Sequence, residues 1–143
     1  MSLFIIETEE RMIEKYPSLI DNNAALIYMI AKDGTPVGEY SSLLKYRNPD
    51  IFEKVMKNVR ADVLEGGSIV LYRQKKPFII TMVIQDSYKA KPEFSYLQTC
   101  FSKLNSALDK VETNNFYLSE NPFNHEKQHE IKELFKSLNL FFI

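Results

Sequence analysis

The chain has 143 residues, of which 45% are hydrophobic, 13% aromatic and 26% charged. This length and composition favour a single folded domain, expected to span residues 1–143, and they argue against disorder. The 18 basic and 19 acidic side chains leave a formal net charge of −1, which excludes a general attraction to nucleic acid or to an anionic membrane.

Cysteine content and hydropathy favour a cytoplasmic location. Cys100 is the only cysteine, so the chain cannot form an internal disulfide. Residues 1–16 lack the basic start and the continuous apolar stretch of a secretory signal, and no window reaches the roughly 18 apolar residues of a membrane span. Cys100 lies within a predicted helix that contains no histidine, which favours a buried, inert thiol over a nucleophile.

The first half of the chain alternates strand and helix patterns. Apolar runs of strand length occupy residues 3–6 and 24–31, and the second run carries almost no charge, as is typical of a strand buried on both faces. Residues 9–16, between them, have helical spacing. A loop with two glycines follows at residues 32–38, and two helical patterns come next, separated by a turn and cap at residues 48–50.

The second half begins after the glycine pair at residues 66–67. Residues 68–73 and 77–84 are predicted strands joined by a short polar link, and a long helical pattern runs over residues 91–108. Residues 114–143 then give a strand, a helix and a strand. This order predicts an α/β fold of three layers, α/β/α, with a mixed, mostly parallel central sheet.

Two loops are predicted to form a ligand site. In open sheets of this kind, ligands bind beyond the carboxyl ends of the strands, where the following loops converge. The loop after Ala31 and the loop after Leu118 both follow predicted strands and carry polar residues. We therefore expect a site between them.

Residues 30–44, IAKDGTPVGEYSSLL, resemble the macro-domain segment in which a strand ends in a small polar patch, crosses a glycine-containing loop and enters a helix. The paired strands, the long helix and the closing unit are similar to the later half of compact macro domains. The closest resemblance is to the single-domain glycohydrolases that remove terminal ADP-ribose from proteins. It implies a macro-domain fold whose ligand is ADP-ribose or a related adenine nucleotide.

The resemblance also implies where that ligand would bind. Backbone N–H groups of the first loop and the following helix terminus would face a diphosphate, because helix N-termini bind anions without a basic side chain. The expected ligand-binding residues are Asp33, Gly34, Thr35, Val37, Gly38, Glu39, Tyr40, Ser119, Glu120, Asn121 and Phe123.

Both loops depart from the family pattern. Val37, Gly38 and Glu39 stand where the family usually has Gly-Ala-Gly, which puts a carboxylate beside the expected diphosphate. The family's second Gly-x-Gly is replaced by residues 119–124, which contain no glycine, and Pro122 has no N–H to donate. These departures weaken the expected contacts to an anion.

The chemistry of the glycohydrolase branch is also missing. Gln85 lies near the position of its nucleophilic lysine, and an amide cannot form a Schiff base. Three hypotheses follow: ADP-ribose binding without efficient turnover, a divergent ADP-ribosyl hydrolase, and a ligand-free scaffold that binds a protein partner. An ADP-ribosylated macromolecule is a further possible partner, and no cofactor is expected. The candidate acids of a hydrolase are Asp33, Glu39, Asp86 and Glu120.

Residues 125–129 read His-Glu-Lys-Gln-His, a spacing that presents two imidazoles to one zinc ion on a helix. A site of this type needs a third ligand downstream. Only Glu130 and Glu133 supply carboxylates after His129, near the end of a short amphipathic helix. We therefore expect a solvated helix face and no metal site.

Overall fold

A six-stranded mixed sheet lies at the centre of the computed structural model, which describes residues 2–6, 25–72, 78–107, 115–119, 123, 127, 129–131, 133–134 and 141–142. The strands are Ser2–Ile6 (β1), Ala25–Ala31 (β2), Ile69–Tyr72 (β3), Phe78–Gln85 (β4), Asn115–Ser119 (β5) and Phe141–Phe142 (β6). Their order across the sheet is β3-β4-β2-β5-β1-β6. β3 is antiparallel to β4, and the remaining neighbours are parallel. The carboxyl ends of β1, β2, β4 and β5 therefore share one edge.

Helices cover both faces of this sheet. They are Gly38–Arg47 (α1), Pro49–Arg60 (α2) and Phe94–Ser106 (α3), and the described residues between 127 and 134 are also helical. On one face the buried helical residues are Leu44, Ile51 and Val55. On the other they are Leu97, Cys100, Phe101, Leu104 and Ile131. The predicted three-layer α/β/α architecture with a mixed, mostly parallel sheet is confirmed.

β2 is the central element of the core. All seven of its residues are buried. Ala25, Ile27 and Met29 pack under α3, whereas Leu26 and Tyr28 pack under α1 and α2, because side chains alternate along a strand. This arrangement explains why the run has no charged residue and confirms its prediction as a strand covered on both faces.

Most predicted elements match the structure within one or two residues at each end. The largest described difference is the start of α3, which begins at Phe94 and not at residue 91. Glu93 has extended backbone angles, and its N–H donates to the Ile84 carbonyl at 2.8 Å, so the chain stays attached to the end of β4 until the helix begins. The helix predicted at residues 9–16 and the link at residues 74–76 lie outside the described residues.

Cys100 lies in the core between α3 and the sheet, where it is fully buried. Its thiol faces the carbonyl oxygens of Ser68 at 3.6 Å and Val83 at 3.7 Å. Burial raises the pKa of the thiol to about 12, since the interior disfavours the thiolate. The prediction of a buried cysteine is confirmed, and the raised pKa supports the expectation that the thiol is inert. No helix in the described part of the chain is long and apolar enough to cross a membrane.

We expect Cys100 to resist iodoacetamide in the folded protein at about pH 8 and to react once urea unfolds the chain. Because the unfolded thiol titrates near about pH 8.5, the free energy of unfolding should fall above that pH, by up to about 1.4 kcal/mol per pH unit. Cys100→Ala is the control and should lack this component. Equal labelling of folded and unfolded protein would contradict the prediction.

Candidate functional site

The loop after β2 folds back along its own strand. The Ala31 N–H donates to the Thr35 carbonyl at 2.9 Å, and the Val37 N–H donates to the Met29 carbonyl at 2.9 Å. β4 pairs with the other edge of β2 as far as Ala31, so residues 35–37 lie on the edge that faces β5. We call residues 35–37 the fold-back segment.

The fold-back segment occupies the sheet position just beyond the end of β5. β5 pairs with β2 at Ala25 and Leu26, and this register places its last residue, Ser119, level with Tyr28. β2 continues for three more residues, and the fold-back segment pairs with that extension. The fold-back segment and the end of β5, after which the second predicted loop begins, therefore lie along the same edge of β2.

α1 starts directly after the fold-back segment. Gly38, its first residue, has φ 86°, a conformation that glycine adopts without strain. Within the described part of the chain, no side chain caps this helix end at Val37. The first N–H groups of an α-helix have no acceptor inside the helix, and the helix dipole makes this end partially positive. Among the described residues, the N–H groups of the first turn of α1 therefore have no side-chain acceptor at the sheet edge.

Other donors of the same loop are already occupied. The Gly34 N–H donates to the Ala31 carbonyl at 2.9 Å, and the Thr35 N–H donates to Oδ1 of Asp33 at 3.0 Å. The Val37 N–H is held by β2, and the Val37 side chain packs against the core under α3. The backbone N–H groups that remain for an anion are those at the start of α1. The predicted contact with an anion is thereby narrowed from the whole loop to its end.

Gly34 is required by packing against α2. It is buried with φ 91°, and a Cβ atom there would lie 2.7 Å from Sδ of Met56 and 3.2 Å from Cγ2 of Val59. The resemblance implied a ligand contact for this glycine. The structure shows that the missing side chain of Gly34 lets α2 approach the loop.

Asp33 joins two loops. Its Oδ1 accepts the N–H of Thr35 and its Oδ2 accepts the N–H of Tyr88, each at 3.0 Å. Partial burial acts to raise the Asp33 pKa, but these backbone hydrogen bonds outweigh it, and the pKa is lowered. A carboxylate that is ionised and engaged at both oxygens is a poor general acid. Its position indicates that it fixes the loop after β4 to the loop after β2.

Side-chain hydrogen bonds also fix the end of β4 and the loop that follows it. Gln85 is 5% exposed, and its Nε2 donates to the Ser87 carbonyl at 2.8 Å. Oδ1 of Asp86 accepts the Tyr96 hydroxyl at 2.8 Å, and this bond raises the pKa of Tyr96. Two residues considered for chemistry at this edge, Gln85 and Asp86, thus make contacts that order the loop.

The remaining predicted ligand residues are placed only in part. Glu39 and Tyr40 belong to the first turn of α1, and Ser119 ends β5. Phe123 packs edge-to-face on Phe94, with ring centroids 5.6 Å apart. The side chains of Glu39 and Tyr40 lie outside the described part of the structure, as do Glu120 and Asn121.

The HExxH spacing receives no support from the described residues. His129 is exposed and lines a surface groove with Glu130 and Glu133. Across the described ranges, no group of three His, Cys, Asp or Glu side chains is placed to hold a metal ion. His125 lies outside those ranges.

Solved structures of other proteins share the overall architecture of this chain. The chain resembles the macrodomain of Thermus aquaticus DarG with a TM-score of 0.73 and 14% identity, over 98% of this chain and 94% of that one. The macrodomain of Mycobacterium tuberculosis DarG gives 0.74 and 13%, over 97% and 94%. The chain has a macrodomain fold.

A third structure with this macrodomain fold contains a ligand. It is Thermosipho africanus DarTG in complex with ADP-ribose, with a TM-score of 0.63 and 15% identity, over 81% of this chain and 32% of that one. At such identities the shared property is the fold. No protein-family model and no curated protein sequence matches the chain.

The role of Asp33 can be tested by unfolding. Asp33→Asn keeps one acceptor for two N–H groups, and we expect the free energy of unfolding at about pH 7 to fall by about 1 kcal/mol. The folded pKa is lowered, so the contribution is present above the unfolded pKa of about 3.9 and disappears as the pH falls through the folded value. Urea titrations at about pH 7 and at a pH below the folded pKa of Asp33 measure this contribution to the free energy of unfolding.

Glu53→Gln, on an exposed position of α2, is the matched control and should change stability by less than about 0.5 kcal/mol at either pH. If Asp33→Asn behaves like this control, the carboxylate does not join the loops as described.

Proposed function

We propose that the chain binds ADP-ribose or a related NAD-derived nucleotide, without efficient turnover, in a cleft at the carboxyl edge of the sheet. The cleft is bounded by the fold-back segment, the first turn of α1 and the end of β5. The observation that carries the proposal is the uncapped start of α1, delivered by the fold-back segment to the point where β5 ends. A diphosphate is the group that such a helix end accommodates.

The fold supports this choice of ligand. Thermosipho africanus DarTG, which shares it, is in complex with ADP-ribose. The site also lies beyond the carboxyl ends of neighbouring parallel strands, where open α/β sheets bind nucleotides. Two of its walls are ordered before any ligand arrives, since Asp33 joins the loops after β2 and β4. Preordered walls lower the entropic cost of binding.

The hydrogen bonds of the candidate acids favour binding over hydrolysis. Asp33 is engaged at both oxygens, Asp86 accepts the Tyr96 hydroxyl, and Gln85 offers an amide where a nucleophile is expected. A divergent hydrolase would have to use Glu39 or Glu120. Phe123, one of the residues that could fill the cleft of a ligand-free scaffold, is engaged with Phe94 instead.

The position of the diphosphate gives a charge-sensitive test by calorimetric titration with ADP-ribose. Glu39 lies in the first turn of α1, so its carboxylate opposes a bound anion. Removing that charge with Glu39→Gln should strengthen binding about two- to fivefold at low salt, less so at high salt.

Glu53→Gln removes the same charge at a distance from the cleft and should leave the affinity unchanged. Weaker binding by Glu39→Gln would place the diphosphate elsewhere. If neither heat nor a thermal shift is detected with ADP-ribose, ADP, AMP or NAD, the nucleotide proposal is wrong.

Turnover is tested separately with ADP-ribosylated protein and ADP-ribosylated oligonucleotide. We expect the chain to bind these substrates and to release no ADP-ribose above the uncatalysed background. Release that disappears in Glu39→Gln or in Glu120→Gln would establish the divergent hydrolase and identify its acid.

A further inference from the structure

A groove of about 530 Å³ lies between α1 and α2, beside the loop after β2. Its lining includes Thr35 and Pro36 from the loop, Lys45 and Tyr46 from α1, and Pro49 and Phe52 from α2. The α1 residues belong to its later turns and not to the first turn, where the nucleotide is proposed. The groove shares Thr35 and Pro36 with the fold-back segment that bounds the proposed cleft, but Lys45, Tyr46 and Phe52, on which the inference rests, lie outside that boundary.

The groove carries one positive charge over an aromatic floor. Nζ of Lys45 lies 4.0 Å from the centroid of the Phe52 ring, and both residues are half-buried. None of the described carboxylates forms an ion pair with Lys45, and the lining contains no acidic residue. Asp50 and Glu53 of α2 are exposed outside the lining. An ammonium that pairs with none of the described carboxylates leaves its charge available to an incoming carboxylate.

The rest of the groove lining is mostly apolar, with the side chains of Thr35 and Ser42 as polar exceptions. Tyr46 is 81% exposed, more than any other large hydrophobic side chain in the described part of the chain. Pro36 and Pro49 restrict the backbone on either side, so that ordering these walls on binding has little entropic cost. Exposed tyrosines supply large contact area at interfaces together with a hydroxyl that stays hydrated.

We infer that this groove binds an acidic peptide segment of a partner protein. One carboxylate of the segment contacts Lys45, and an adjacent apolar side chain packs against Tyr46 and Pro49. A peptide fits better than a small molecule, because the exposed walls would leave a small ligand largely solvated. A nucleic-acid strand fits poorly, because the lining offers a single ammonium for a chain of phosphates.

The inference is tested by titrating the isotope-labelled protein with acetyl-Glu-Phe-amide and following backbone amide resonances. Acetyl-Gln-Phe-amide is the matched neutral probe. We expect the shifts to cluster at Thr35, Lys45 and Tyr46, and the acidic probe to bind about two- to fivefold more tightly, the range of one exposed ion pair. Shifts that cluster elsewhere, or equal affinity for the two probes, would overturn the proposal.

Two variants separate the charged contact from the apolar one. Lys45→Met keeps the aliphatic stem and should abolish the preference for the acidic probe, whereas Lys45→Arg should retain it. Tyr46→Ala should weaken the binding of both probes by a similar factor. Unchanged melting temperatures show that each variant is folded. A preference that survives in Lys45→Met would overturn the assigned role of the ammonium.

Discussion

The exposed edge of β2 is the constraint on which the site depends. β5 pairs with β2 only at Ala25 and Leu26, so the last part of β2 lacks this neighbour and must satisfy its backbone groups in another way. The fold-back segment accepts a hydrogen bond from the Ala31 N–H and donates one to the Met29 carbonyl. The Met29 N–H donates to Oγ of the buried Ser41 at 3.1 Å. These bonds determine where the loop ends and where α1 starts. The position of the helix terminus thus follows from the requirement to complete the sheet.

Asp33, Gln85 and Asp86, polar residues of this edge, make hydrogen bonds that order the loops. Asp33 accepts a hydrogen bond from the loop after β4, and Asp86 accepts one from Tyr96 near the start of α3. Gln85 donates a hydrogen bond to the carbonyl of Ser87 in the loop that follows it. Gly34 makes room for Met56. The result is a rim whose shape is set within the protein, so a ligand there meets surfaces that need little rearrangement. A rigid rim suits recognition, whereas hydrolysis would also require an unengaged acid.

The sequence predicted the layers of the fold because each layer has a local signature. The uncharged run of β2 indicated a doubly buried strand, and the spacing of Leu97, Phe101 and Leu104 indicated a helix with one buried face. Strand order followed less directly, from the connection rules of parallel sheets. That the fold-back segment and the end of β5 share one edge of the sheet was predictable on the same basis, since parallel strands end at one edge.

Contacts between distant residues could not be predicted in this way. The bond between Asp33 and the Tyr88 N–H joins residues 55 positions apart, and nothing in either segment indicates it. The fit of Gly34 under Met56 depends on how α2 crosses the loop. Occupation of the Val37 donor depends on how far β5 extends. Each of these gives a structural role to a residue for which the resemblance had implied a ligand contact.

The position of Cys100 has a practical consequence. The sole cysteine of the chain is closed within the core, where its thiol remains protonated. A cysteine introduced on the exposed surface, such as at Thr35 on the rim of the cleft, would therefore be the single attachment point for a fluorophore or a spin label. Selective labelling usually requires that native thiols be removed first, and this chain does not need that step. Movements at the labelled position can therefore be followed in the otherwise unaltered chain.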